Sequence, residues 1–283
     1  IHDTGTAINV GDDGTGLHQD WFIAQNTLLN NAYGIHLSGE NAVISNNIVK
    51  QFGTYGIYVQ GEDIVISRNT VEDQKGYFSG IFVGRTGEDK RDSRVITIIE
   101  NVVTNAATGM LLVTSSEEAQ LNDIKIMSNK VSQCGADAIV VEKFASYSGP
   151  ITNVVISYNT VDNNVGGGII LQGVTQGQVS ANTVTNSEFH SGIILLDSSK
   201  IAVARNVVRN NRADGIEINS SSDNTVTGNM VSGNSWGILL LQGSSRNVIT
   251  YNRARGNTQY DLYDDGSGTG NVWKLNIYDT KNW

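Results

Sequence analysis

The sequence predicts an all-β chain wound as a right-handed parallel β-helix, a solenoid of about eleven coils, and two regularities predict it. Asparagines recur as Asn26, Asn47, Asn69, Asn101, Asn129, Asn159, Asn182, Asn206, Asn229, Asn252 and Asn276, each inside a pattern close to V-x-I-S-x-N-x-V. All but three of the intervals between them run from 21 to 24 residues. Between the asparagines a second unit starts at glycine, as in Gly34-Ile35-His36-Leu37, Gly56-Ile57-Tyr58-Val59 and Gly192-Ile193-Ile194-Leu195.

Each recurrent Asn is read as a tight bend that needs left-handed backbone and an amide able to bond its neighbours, so that stacked coils form an amide ladder. Apolar stretches flank it, Val43-Ile44-Ser45 before Asn47 and Ile48-Val49 after it. In the glycine unit the Ile and Leu point inward and the residue between them outward. Ala138 takes the glycine place in one coil. Three short strands per coil, rising about 4.8 Å each time, make a rod on the order of 50 Å long. Neither the W-D pair of a propeller nor an L-x-x-L-x-L frame is present. The whole chain, 1–283, reads as one domain. Ile1 to Val10 read as the second half of a coil whose ladder Asn lies upstream, and 271–283 as a closing strand pair with an aromatic cap containing Trp273 and Trp283.

A formal charge of −9 argues against nucleic acid and anionic membrane surfaces as partners, since both reward basic patches. No apolar run approaches the ~20 residues of a spanning helix. Cys134 is the only cysteine, which forbids an intramolecular disulfide, and Pro150 is the only proline, as stacked ladders require. The four histidines, His2, His18, His36 and His190, are scattered and build neither a Ser-His-Asp arrangement nor a transition-metal set.

The N-x-V, second-Asn and G-I-x-L units, running from Ile1 to about Asp279, resemble the β-helix repeats of carbohydrate-binding and sugar-hydrolase domains. Relatives with such repeats include mannuronan C5-epimerases, alginate and pectate lyases and the periplasmic accessory protein of nitrous oxide reductase. The resemblance implies a secreted protein, extracellular or periplasmic, acting on a polysaccharide. The D-P-H-E catalytic motif of the epimerases and the Gly/Asp-rich calcium nonapeptide are both missing here.

Insertions mark where a solenoid binds. Four long segments follow the glycine unit: Gly11 to Asp20, Gly84 to Arg94, Thr114 to Asp123 and Glu142 to Asn153. The first two flank a gap two coils wide, roughly 10 Å. His36 and Tyr58 lie on its floor, followed by Ser38 and Gln60, and Tyr33, Tyr55 and Tyr77 recur at intervals of 22 as a ring column. The walls bring His18 from one loop and Arg85, Lys90, Arg91 and Arg94 from the other. The leading reading is a lyase or C5-epimerase acting on an acidic polysaccharide: proton abstraction at C5 of a uronate needs a base, an acid and a cation, so His36 and Tyr58 are read as acid and base and Arg85 or Arg91 as the carboxylate partner. Tyr33, Tyr55, Tyr77, Gln60, Lys90 and His18 are read as substrate-binding. No cofactor is certain and no metal ligand set is assigned, although Asp12, Asp13 and Asp20 are candidate Ca2+ oxygens.

Glycoside hydrolysis is the rival chemistry and needs two carboxylates about 5 to 10 Å apart. Glu117, Glu142, Asp214 and Glu217 are its candidates, with no pair distinguished by sequence. A non-catalytic rod of a surface or phage-tail-like assembly is the other alternative. The outward residues Leu111, Val113, Val140, Ile170, Ile194, Leu196, Leu239 and Leu241 form an apolar stripe that is read as a surface for a homo-oligomer or second domain.

Overall fold

The computed structural model describes residues 1–11, 19–84, 92–114, 117, 119–144 and 149–283. Its strands stack in parallel into one 20-stranded and one 10-stranded sheet, the arrangement of a parallel β-helix. The larger sheet covers two faces of the coil, because Tyr33–Ser45 and Tyr55–Ser67 run unbroken through both. The first face carries the glycine units, in strands such as Ile139–Lys143, Ile193–Leu196 and Trp236–Leu241. The second carries the apolar stretches before the ladder, such as Ile151–Ser157, and the third the short strands after it, such as Thr160–Asp162.

The inward residues of all three faces meet in one core. Ile35, Leu37, Ile57, Val59, Ile44, Ile66, Val71 and their equivalents in later coils are fully buried, each contributing roughly 2 kcal/mol of transfer free energy. The glycine that opens each first-face strand sits where that face meets the third. A Cβ at Gly34 would collide with the Val49 side chain and the Gly56 carbonyl. A small residue is needed for the two faces to close at that corner, glycine in most coils and the fully buried Ala138 in one.

The amide ladder is continuous. From Asn26 to Asn276 each Asn donates Nδ2–H to Oδ1 of the next at 2.9 to 3.0 Å. The same Oδ1 also accepts the backbone N–H of the preceding rung, as from Asn129 to Asn159 at 2.9 Å. The sequence reading that Asn supplies the left-handed backbone is corrected here. The residue before it does so: Gln25, Asn46, Arg68, Glu100, Ser128 and Tyr158 have φ between 53° and 59°. The neighbour takes the bend, which leaves the Asn free to aim its amide along the axis.

The rungs that span the long intervals of 32, 28 and 30 residues remain at 3.0 Å. The added residues therefore do not change the rise of the coil. Each of the three insertions falls in the chain between a first-face strand and a second-face strand. The apolar stripe is more sheltered than simple alternation implies, because its members cover one another in register. Val113, Val140 and Leu239 are each only 4 % exposed, and the others are half-buried.

A second ladder occupies the corner after the third face in the C-terminal half. Asn211 Nδ2 donates to Asn234 Oδ1, and Asn234 Nδ2 to Asn257 Oδ1, each at 3.0 Å. Asp261 ends the series, accepting from Asn257 Nδ2 at 2.8 Å and from the Asp279 and Thr280 backbone at 2.8 and 3.0 Å. Burial pushes its carboxyl up, but these donors outweigh it and hold it below the ordinary range. The last coil closes with the Trp273 and Trp283 rings 4.8 Å apart.

One rung of this second ladder is imperfect. Ser187 stands between Asn164 and Asn211, and both Asn164 Nδ2 and Ser187 Oγ are buried without a hydrogen-bond partner. Ser187→Asn supplies the missing amide and is expected to raise stability by about 1 kcal/mol, whereas Asn159→Ala, in the continuous ladder, is expected to lower it by about 3 kcal/mol. Urea unfolding midpoints measure both. A Ser187→Asn protein less stable than wild type would show that the corner has no room for the amide.

Candidate functional site

The outer side of the first face brings together three groups of side chains along the axis. At the N-terminal end the rings form a packed cluster. Tyr33 and Tyr55 are 5.9 Å apart between centroids, His36 and Tyr58 4.6 Å, Tyr58 and Phe82 5.1 Å, and Tyr55 and Phe82 4.8 Å. Register produces this, since His36 pairs with Tyr58 and Tyr58 with Phe82 on successive coils. His36 is half-buried, but Tyr55, Tyr58 and Gln60 are buried at 6 %, 9 % and 4 % exposure. Burial first, and then the neighbouring Tyr58 and Tyr33, pushes the Tyr55 phenol up to about 12.

Tyr77 does not join this column. It is 94 % exposed, and Phe78 packs on Tyr55 instead, at 5.1 Å. Gly56 and Gly80 are 24 residues apart, so a count of 22 from Tyr55 falls two short of the register position, which Ser79 holds. His18, Arg85, Lys90 and Arg91, along with Asp12 and Asp13, lie outside the described residues. Arg94 is described and pairs with Glu62 and with Asp92. Asp20 is exposed, and among the described residues no three His, Cys, Asp or Glu side chains converge on a metal position.

Farther along the same face lies a group that sequence spacing did not single out. Asp214 precedes the glycine of its coil and Glu217 follows the Ile, and both project outward from Asp214–Asn219. Ser191 stands one coil earlier, in register with Asp214. Its Oγ lies 3.1 Å from Asp214 Oδ2 and 2.9 Å from Glu217 Oε2, which holds the two carboxyl groups within about 6 Å. A hydroxyl carries one hydrogen, so both contacts are hydrogen bonds at once only when one carboxyl is protonated. Burial supplies the reason: it pushes Asp214 up to about 6, the Ser191 contact opposes the rise, and Glu217 adds to it. Ionised Asp214 accepts from Ser191, which is why that contact lowers its value; once Asp214 is protonated, the Ser191 hydroxyl is available to donate to Glu217.

Two further acids share the face. Asp137 lies three coils from Asp214, about 14 Å along the axis. It accepts the Gly167 N–H at 2.5 Å, and His190 Nδ1 lies 3.1 Å from the same oxygen. Glu142 is half-buried and is raised above its ordinary value by burial and then by Asp137. Glu117, the remaining carboxylate candidate, is exposed, and the structure does not bring it to this group. On the C-terminal side Trp236 is in register with Asp214. The Tyr263 ring meets it edge-on at 4.4 Å and 80°, with Tyr260 at 5.7 Å.

A folded-state value near 6 for a carboxyl ordinarily at 3.8 has a definite sign in the stability of the fold. Below about pH 4 Asp214 is protonated in both states. Between pH 4 and 6 the unfolded chain releases the proton and the folded one keeps it, so stability falls as pH rises across that window. Asp214→Asn is expected to remove this fall and to gain melting temperature over wild type at pH 7.5 relative to pH 3.5. Melting curves that stay parallel across the window would contradict the burial assignment.

The fold is shared with proteins of low sequence identity. The periplasmic alginate epimerase AlgG superposes with a TM-score of 0.66 at 14 % identity, over 94 % of this chain and 76 % of that one. The Azotobacter vinelandii mannuronan C-5 epimerase AlgE4 A-module gives 0.55 at 12 %, over 90 % of each. The DFA-IIIase of Arthrobacter chlorophenolicus A6 gives 0.59 at 14 %, over 88 % of this chain and 69 % of that one. No curated protein matches the chain by sequence.

A family model described as periplasmic copper-binding protein (NosD) matches residues 2–130 and 91–282. Copper selects thiolate, thioether and imidazole donors. Here Cys134 is buried in the core with its thiol pushed up to about 12 by burial, Met110 is fully buried, and His190 has a single carboxylate partner. Among the described residues no three His, Cys, Asp or Glu side chains converge, and the exposed thioether, Met230, stands on a different face from His36 and His190. The matched stretches together run nearly the length of the sequence, and the chain belongs to the NosD family.

Proposed function

We propose that this protein is a carbohydrate-active β-helix that hydrolyses a glycosidic bond on its first face, with Asp214 as general acid and Glu217 as its carboxylate partner. The observation that carries the reading is the Asp214–Ser191–Glu217 chain, in which one hydroxyl bridges two carboxyls and burial raises one of them. Separated environments for two carboxyls are what glycoside hydrolysis requires. A separation within about 6 Å leaves no space for a water between them and suits a covalent intermediate on Glu217, with retention at the anomeric carbon. The similar folds of alginate and mannuronan epimerases support a polysaccharide as substrate, and the family description supports a periplasmic location.

The site works as follows under this proposal. The glycan lies along the rod axis against the first face. Asp214 gives its proton to the departing oxygen while Glu217 attacks the anomeric carbon. Water then releases the sugar, with Asp214 now taking a proton back. Ser191 keeps the two carboxyls in position.

A second reading has one observation in its favour, the 4.6 Å contact of His36 with Tyr58 beside a sequence segment rich in Arg and Lys. There His36 and Tyr58 would abstract and return the C5 proton of a uronate, with Arg85 or Arg91 on its carboxylate and Tyr33, Tyr55, Gln60, Lys90 and His18 as binding groups. That cluster lies six coils from Glu217, about 29 Å along the axis, so the two readings concern separate places on the first face.

Asp214→Asn and Glu217→Gln are each expected to lower hydrolysis by about 10²- to 10⁴-fold, and wild-type activity should fall as pH rises past about 6. Reducing-end release and the NMR signal of the first-formed anomer test this. Unsaturated products absorbing in the ultraviolet, with both carboxyl variants at wild-type rates and His36→Ala inactive, would replace the hydrolase reading by the lyase one.

A further inference from the structure

We infer that Trp236, held by Tyr263 and Tyr260, is a sugar-stacking platform, and that the ring it places next to Asp214 is uncharged. The placement beside a working carboxyl rests on the hydrolase reading; the platform itself rests on separate geometry. Trp236 opens the strand Trp236–Leu241, whose next four residues are buried while Trp236 is only half-buried. Its indole therefore stands on the outer side, one coil from Asp214 and in register with it. The perpendicular contact with Tyr263 at 4.4 Å fixes the plane of the pair, so no side-chain ordering is needed when a ligand arrives.

The other aromatic group on this face is a poorer platform. Tyr55, Tyr58 and Phe82 have exposures of 6 %, 9 % and 2 %, so their ring faces are spent on one another, and the more open Tyr33 and Phe78 stand at the far end of the face from the Asp214–Glu217 pair. Trp236 keeps open surface. The apolar face of a pyranose or furanose ring, with its C–H groups aligned, is the partner that a fixed indole beside hydrogen-bonding carboxyls recognises.

Charge selects among sugars. Asp137, Glu142, Asp214 and Glu217 share the face, while His190 is paired with Asp137 and Arg212 lies over the Phe189 ring at 5.9 Å. A uronate or sulfated ring at Trp236 would bring like charge against Glu217. A neutral ring brings no charge against Glu217 and can hydrogen-bond to its carboxyl through the hydroxyl groups.

The test uses the full chain carrying Asp214→Asn, applied to an immobilised array of neutral, uronate-containing and sulfated glycans. Binding to neutral glycans is expected. It should weaken at least tenfold when Trp236→Ala or Trp236→Leu is added, the second variant preserving apolar packing, and should partly return with Trp236→Phe. Circular dichroism confirms that each variant is folded. Neutral-glycan binding unchanged in both Trp236 variants, binding confined to charged glycans, or no binding to any glycan would each overturn the inference. Turnover by the chain with an intact Asp214 separates the two ideas. If that protein hydrolyses neutral glycans and Trp236→Leu leaves KM unaltered, the platform fails and the hydrolase reading stands. If Trp236-dependent binding is present without hydrolysis, the hydrolase reading fails and the platform stands as a binding site.

Discussion

The hydrogen bond from one Asn amide to the next is the constraint on which the rest of the structure depends. Each rung satisfies a buried amide that would otherwise cost about 1–3 kcal/mol left alone, and it does so only if successive coils keep the same register. A slip of one residue would turn every inward Ile and Leu to solvent. The ladder and the apolar core thus enforce the same alignment, one through polar groups at a corner and the other through side chains along the faces. The cost of a mistake is high in both, which is why the rungs stay near 3.0 Å from end to end.

Strict register has a consequence for the outside of the rod. Residues at the same place in successive coils form columns about 4.8 Å apart, so an outward side chain always has two known neighbours. Tyr58 becomes buried because His36 and Phe82 flank it, not because it points inward. Asp214 acquires its surroundings in the same way, with Ser191 before it and Trp236 after it. A solenoid builds a site by adjacency between coils, and insertions leave the register of its strands unchanged.

This explains what was legible in the sequence. Fold class, the coil boundaries and the point in the coil where insertions fall follow from the Asn and Gly periods, because those periods are the structure. The column of Tyr33 and Tyr55 followed as well. Tyr77 misled because register is carried by the glycine, and the coil between Gly56 and Gly80 is two residues longer than the one before it. The left-handed bend residue was hidden because Gln, Asn, Arg, Glu, Ser and Tyr all serve there, leaving no type to recognise. The acidic pair was within reach: in Asp214-Gly215-Ile216-Glu217 the positions before Gly and after Ile share the outer side, and Ser191 lies 23 residues before Asp214. What spacing alone does not carry is depth, and depth is what moves the Asp214 carboxyl.

Depth also decides why Asp214 and not Glu142 is the acid on this face. Both are raised by burial, and each has another acid adding to the rise. Glu142 lies in register between Val113 and Gln172, neither of which links it to a second carboxyl. Asp214 has Ser191 between itself and Glu217, so that one hydroxyl joins the two carboxyls. A buried acid next to apolar neighbours is merely harder to ionise. An acid that shares one hydroxyl with a second carboxyl is held in place beside it, which is the condition for delivering a proton to a third group placed on the same face.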